Sequence, residues 1–177
     1  RVSELSKFAE NFPHNKIEYR KRDLGIITGG IAYQYAREVF PNASILKLVM
    51  VYPLPVEMVR SFCKSMENVI VLEELDPFIE DQVRLMGIEL FKPQIKLNGD
   101  DAHTKSIFPI TGELNPAVVR QSAEKAGLLE TSVKKELSNL DIPIPSRPPT
   151  LCPGCPHRSS FYVLSQLKLP VNGDIVC

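Results

Sequence analysis

Apolar and polar positions along the chain follow two periods, and the changes between them mark out elements. Residues 24–28, LGIIT, form an apolar run bounded by Asp23 and by Gly29-Gly30, the pattern of a strand buried on both faces. Residues 31–40 then place Ile31, Ala32, Tyr35, Ala36 and Val39 on one helical face before Pro41-Asn42 ends the pattern. A strand over 45–49, ILKLV, follows. Pro55 suits the first turn of a second helix, with Val56, Val59, Phe62, Cys63 and Met66 on one side. A strand over 69–74 comes next, and Asp76 and Pro77 supply an N-cap and first-turn pair for a helix through Met86 that turns Phe78, Ile79, Val83 and Met86 inward.

Strands alternating with helices of ten to twelve residues imply βαβ crossovers and an α/β fold with a mainly parallel sheet covered on both faces. A fourth strand is expected over 87–91, GIELF. Before this unit, Ser3 is expected to cap a short helix with Leu5, Phe8 and Ala9 as its buried stripe, ending at Phe12-Pro13. After it, periodicity is lost over 98–111. Asn115-Pro116 starts a further helix, with Val119, Ala123 and Ala126 on one face and Gly127 at its end. Residues 141–149, DIPIPSRPP, hold four prolines and read as an extended linker, placing a domain boundary near 145. The remaining residues are too few to fold alone.

Composition narrows the function classes. The 177 residues carry 21 Lys plus Arg and 21 Asp plus Glu, so no net field draws the protein to nucleic acid or an anionic membrane. No apolar run reaches the roughly 18 to 20 residues that span a bilayer, and the N-terminus has no signal-peptide core, which points to the cytoplasm. The chain opens on Arg1 without Met and stops at Cys177 straight after an apolar run, as expected of a piece of a longer protein.

Candidate chemistry lies in two places. Gly29-Gly30 follows a strand and opens a helix, where backbone amides can hold phosphate. Neither dinucleotide nor P-loop spacing is present, so a tight strand-to-helix turn is the better reading. Glu73, Glu74, Asp76, Glu80 and Asp81 cluster after a strand, where acidic groups suit the next helix's dipole; alternatively Glu73 or Glu74 faces a partner domain at the sheet's carboxyl edge. His14 and His103 have no Cys or His at ligand spacing.

The second place is LCPGCPHR at 151–158. Three of the four cysteines, Cys152, Cys155 and Cys177, fall in the last 26 residues. The Pro-Gly centre favours a type II turn that brings the first two sulfurs to one side. Pro156 suits the first turn of a helix through about Leu167, which would lower the thiol pKa values. Cys177 is a candidate third ligand and His157 a fourth. The spacing alone leaves open an Fe–S cluster, a zinc site or free thiols. Cys63, on an apolar helix face, reads as a core residue.

LCPGCPHR, the ending GDIVC at 173–177, and the runs LGIITGGIAYQYARE, KLVMVYPLP, VIVLEELDPFIEDQ and FPITGELNP together resemble the 2-oxoacid:ferredoxin oxidoreductases, and within them the large (alpha) subunit of the indolepyruvate branch. The resemblance implies a linker helix over 1–12, a three-layer α/β/α transketolase C-terminal-like domain over 13–100, a connecting arm over 101–149 and the start of a thiamine-diphosphate-binding domain over 150–177. The α/β domain would pack between catalytic domains and be architectural. It further implies a parent enzyme that oxidatively decarboxylates arylpyruvates to acyl-coenzyme A with thiamine diphosphate, Mg2+ and [4Fe-4S] clusters, a beta subunit as partner and ferredoxin as acceptor, the cofactor carrying the hard chemistry. Cys152, Cys155 and Cys177 would be the metal-proximal or cofactor-proximal thiols, with His157 and Arg158 near the diphosphate or the substrate carboxylate. The chain departs from the family in Val176, where a glycine is usual, and in lacking the G-D-G…N magnesium motif, the pyrimidine-side glutamate and the ferredoxin-like cysteine run. By itself it is expected to be inactive. Read without the resemblance, the same features describe a non-catalytic α/β assembly module with a zinc-binding cysteine tail.

Overall fold

The computed structural model describes residues 1–93, 106–131, 154–155, 157–168 and 170–171. The chain divides into two compact units, Arg1–Lys134 and Lys135–Cys177. In the first, helix α1 (Val2–Glu10) precedes strands β1 (Lys16–Glu18) and β2 (Lys21–Gly29). Helix α2 (Ala32–Val39), β3 (Ala43–Leu48), α3 (Val56–Lys64), β4 (Asn68–Leu72), α4 (Phe78–Leu85) and α5 (Pro116–Ala126) follow.

Among the described residues the sheet has four strands in the order β1-β3-β2-β4. Strands β3, β2 and β4 are parallel, with Ile26 beside Ile45 and Ile70, and Ile27 beside Leu46 and Val71. This register sorts the side chains into two cores, as the two-residue period of a strand demands. On one face Ile26, Ile45, Ile70 and Leu72 meet Ala32, Ala36 and Val39 of α2 and Val119 and Ala123 of α5. On the other, Ile27, Leu46, Leu48, Val69 and Val71 meet Val59 and Phe62 of α3 and Ile79 and Val83 of α4. Helices on both faces of a mainly parallel sheet make the three-layer α/β/α arrangement expected from the alternation.

The ends of the helices differ more from expectation than their middles. Asn115 caps α5 as its sequence suggests, its side-chain oxygen accepting from the Val118 amide at 3.0 Å, and Gly127 closes the helix at φ 79°. Ser3 caps nothing: it lies inside α1, whose buried residue is Ala9, while Leu5 and Phe8 face solvent. Ile31 is likewise exposed, and Tyr33 takes its place in the core beside Ala32 and Ala36. Asp76 makes no side-chain cap on α4.

Residues 87–91 form no strand, although the Phe91 amide donates to Val69 O at 2.8 Å. The fourth strand is β1, which runs antiparallel to β3 with Ile17 beside Leu46. Its outward charges are absorbed locally. The Tyr33 hydroxyl donates to Glu18, Arg20 pairs with Glu18 at 3.4 Å, and the Lys47 ammonium lies 4.9 Å from the Tyr33 ring centroid. Buried Ser44 is satisfied at the adjoining β2 irregularity, accepting from the Arg20 amide and donating to Lys21 O.

The second unit contributes helix α6 (His157–Leu167), none of whose residues is buried. The Pro-rich stretch 141–149 lies outside the described residues, as does most of the aperiodic segment after residue 93.

Candidate functional site

Two regions answer to the sequence's candidate chemistry: the carboxyl edge of the parallel strands and the turn leading into α6. At the carboxyl edge β2 and β4 are neighbours, while the helices that follow them, α2 and α4, pack on opposite faces of the sheet. Parallel sheets commonly hold ligands beside such a reversal. Gly29 sits at the end of β2, where an added Cβ would come within 2.9 Å of Leu48 O. Its lack of a side chain thus serves close strand packing, in keeping with the tight-turn reading of Gly29-Gly30.

The chain occupies much of this edge with its own carboxylates. Glu73, just beyond β4, accepts from the Ile79 and Glu80 amides at 2.8 and 2.9 Å, so it, and not Asp76, caps α4. Burial raises the Glu73 pKa above the usual carboxylate range, and the nearby charges of Glu80 and Asp81 push the same way against the two amide bonds. Glu80 is itself buried and paired with Arg84 at 2.5 Å. Glu74 accepts from the Leu114 amide at 3.3 Å. At α3 the same device recurs from a distance, with Glu10 accepting from the Glu57 and Met58 amides at 2.9 and 3.1 Å. Asn15 fastens the loop after β3 by accepting from the Val49 and Met50 amides. The helix N-termini of α3 and α4, where an anion would otherwise be drawn, are thus filled by side chains that brace the loops.

Sequence reasoning foresaw the acidic cluster but not which carboxylate caps α4. Glu10 and Asn15 carried no local signal at all, since their partners lie 34 to 48 residues away in sequence.

At the second region Gly154 holds φ 79° in a turn, the left-handed value that the third position of a type II turn requires of glycine. Cys155 follows, half-buried, and its carbonyl accepts from the Arg158 amide at 3.1 Å. His157 and Arg158 are exposed on the first turn of α6, with the His157 ring 6.4 Å from that of Phe161. Cys152 and Cys177, the other thiols of the candidate site, lie outside the described residues. Among the described residues no three His, Cys, Asp or Glu side chains gather to hold a metal ion. Cys63 is half-buried on α3, and desolvation pushes its thiol up to about 11, the behaviour of a core residue. His14 is exposed with its ring 5.3 Å from Phe12, and His103 is outside the described residues. No described helix is long and apolar enough to cross a membrane.

Residues 29–141 match the model of the indolepyruvate oxidoreductase domain. Over 177 aligned residues the chain is 33% identical to indolepyruvate oxidoreductase subunit IorA of Archaeoglobus fulgidus, covering 94% of this chain and 27% of that one. The subunit of the same name from Pyrococcus abyssi is 31% identical, with 98% of this chain and 28% of the relative aligned. A solved 2-oxoglutarate:ferredoxin oxidoreductase from Magnetococcus marinus superposes on 68% of this chain and 21% of its own at a TM-score of 0.48 with 18% identity, a likeness too loose to bear weight. The chain spans about a quarter of the length of the curated relatives it matches. A domain model that covers the sheet from the end of β2 through α5, with alignments running nearly end to end, places the chain in the indolepyruvate oxidoreductase family.

Proposed function

We propose that this chain is part of the large subunit of a thiamine-diphosphate-dependent enzyme that oxidatively decarboxylates arylpyruvates, indolepyruvate among them, to acyl-coenzyme A and passes the electrons to ferredoxin. The observation that carries this reading is the alignment at 33% identity over 94% of the chain with a subunit named for indolepyruvate. In this reading residues 13–100 form an architectural α/β domain of the transketolase C-terminal type, and residues 150–177 open the cofactor domain. The partners are a beta subunit, ferredoxin, coenzyme A and the oxoacid, in the cytoplasm. The chain alone is inactive.

The described residues do not fit a magnesium–diphosphate site. They gather no metal-capable trio, and the α3 and α4 N-termini that could have faced a diphosphate are filled by Glu10 and Glu73. The parent's remaining length would therefore supply that site. What the chain offers toward it is the turn at Gly154 and the exposed His157 and Arg158 on α6. A cation there suits a diphosphate or a substrate carboxylate. Cys152, Cys155 and Cys177 are the thiols proposed to lie nearest a cluster.

Anaerobic purification of the full-length parent with metal analysis and a visible spectrum tests this assignment. We expect iron with a broad charge-transfer band, and a lower iron content or activity in Cys155→Ala. Stoichiometric zinc without that band would contradict it and favour an assembly module with a zinc-bearing tail.

A further inference from the structure

The loops that leave β2, β3 and β4 at the carboxyl edge set five large apolar side chains in solvent: Ile31, Val49, Tyr52, Leu75 and Phe78. Tyr52 is 65% exposed and Leu75 55%. The three strands are adjacent in the sheet, about 4.8 Å apart. The loops after β3 and β4 meet through the Tyr52 and Phe78 rings, whose centroids are 6.3 Å apart. These residues form one edge of the molecule rather than scattered surface positions.

Leu75 is the informative member. It holds φ 63°, a left-handed conformation unfavourable for a residue with a side chain and one that glycine would adopt freely. The backbone around it is braced. Glu73 is bonded to the Ile79 and Glu80 amides, Glu74 accepts from the Leu114 amide, and the Phe78 amide donates to Asp76 O at 2.7 Å. A leucine pinned in a strained backbone and turned toward water brings this chain neither favourable conformation nor burial. Strain of this kind persists where the surrounding structure enforces it for a use. The charge around it is one-sided: residues 73–78 carry Glu73, Glu74 and Asp76 with no basic residue, and residues 29–31 and 49–55 carry no charge.

We infer that this edge is a docking face for the remaining length of the same polypeptide, onto a surface that offers apolar residues against Leu75, Tyr52 and Phe78 and lysine or arginine against Glu74 and Asp76. The inference rests on the proposal that the chain belongs to a longer subunit. The relatives extend to nearly four times its length, and all of the β3 and β4 loops fall within the residues that match the family domain. A covalently linked partner arrives at high effective concentration, so a face of this modest size suffices.

Hydrogen–deuterium exchange on the full-length parent and on the 177-residue chain tests the inference without any measure of turnover, so loss of the catalytic reading leaves its outcome intact. Residues 49–54 and 73–79 should exchange at least about ten-fold more slowly in the parent. Leu75→Asp should abolish that difference. Leu75→Gly should do the same in the parent while leaving the melting temperature of the 177-residue chain unchanged or higher, because the backbone strain is gone. Equal exchange in both proteins would overturn the inference. So would protection that appears only when a separate subunit is added, or that the 177-residue chain develops by itself at raised concentration.

Discussion

Glu73 shows how one residue is set by opposing influences. Two backbone amides favour its charged form, yet burial prevails and the carboxyl pKa lies above the usual range. Between the unfolded and folded pKa values the folded state binds more protons than the unfolded one. The contribution of Glu73 to stability is therefore fullest on the acid side of that window and declines as pH rises through it. Glu73→Gln keeps an acceptor for the α4 amides and removes the titration. Urea midpoints followed across this window should then change less with pH than in the native chain, and an unaltered profile would exclude Glu73 as their source. Glu73→Ala leaves both amides bare and should cost about 1 kcal/mol relative to Glu73→Gln.

At the scale of elements, the capping of α5 makes the simplest test of how a local signal acts. Asn115→Ala removes the side chain that accepts from Val118 and should destabilise the first unit by about 1 kcal/mol in denaturant titrations. The helices were readable in sequence because their buried positions repeat: Val59 and Phe62 in α3, Val83 in α4, Val119 and Ala123 in α5 are all at or near zero exposure. Readability failed where the deciding partner is distant. Leu5 and Phe8 share a face, but α1 has too few neighbours to cover it and buries Ala9 instead. The α4 cap comes from the end of β4 rather than from the residue before the helix. Strand β1 has three residues, two of them charged, and becomes a strand only because β3 offers a free edge and Tyr33 a partner for Glu18. The apolar run at 87–91 has the composition of a strand, yet it begins at a left-handed Gly87 and makes one backbone bond to β4.

For the whole molecule, family membership and the α/β architecture were legible because both are written along most of the chain. The candidate site was less so. Of its thiols Cys155 falls within the described residues, and among those residues it stands beside exposed His157 and Arg158 with no gathered ligand set. A cofactor site assembled from several segments leaves only part of its pattern in any one of them. Glu10 and Glu73 hold loops through the amides of α3 and α4, and the edge they brace displays apolar groups. The proposed reaction is tested most directly by carbon dioxide release from carboxyl-labelled indolepyruvate by the full-length parent, assembled with its partner subunit and supplied with coenzyme A and oxidised ferredoxin. We expect release that requires both coenzyme A and ferredoxin, and none from the 177-residue chain alone. Release by the isolated chain, or none from the assembled parent with any arylpyruvate, would contradict it.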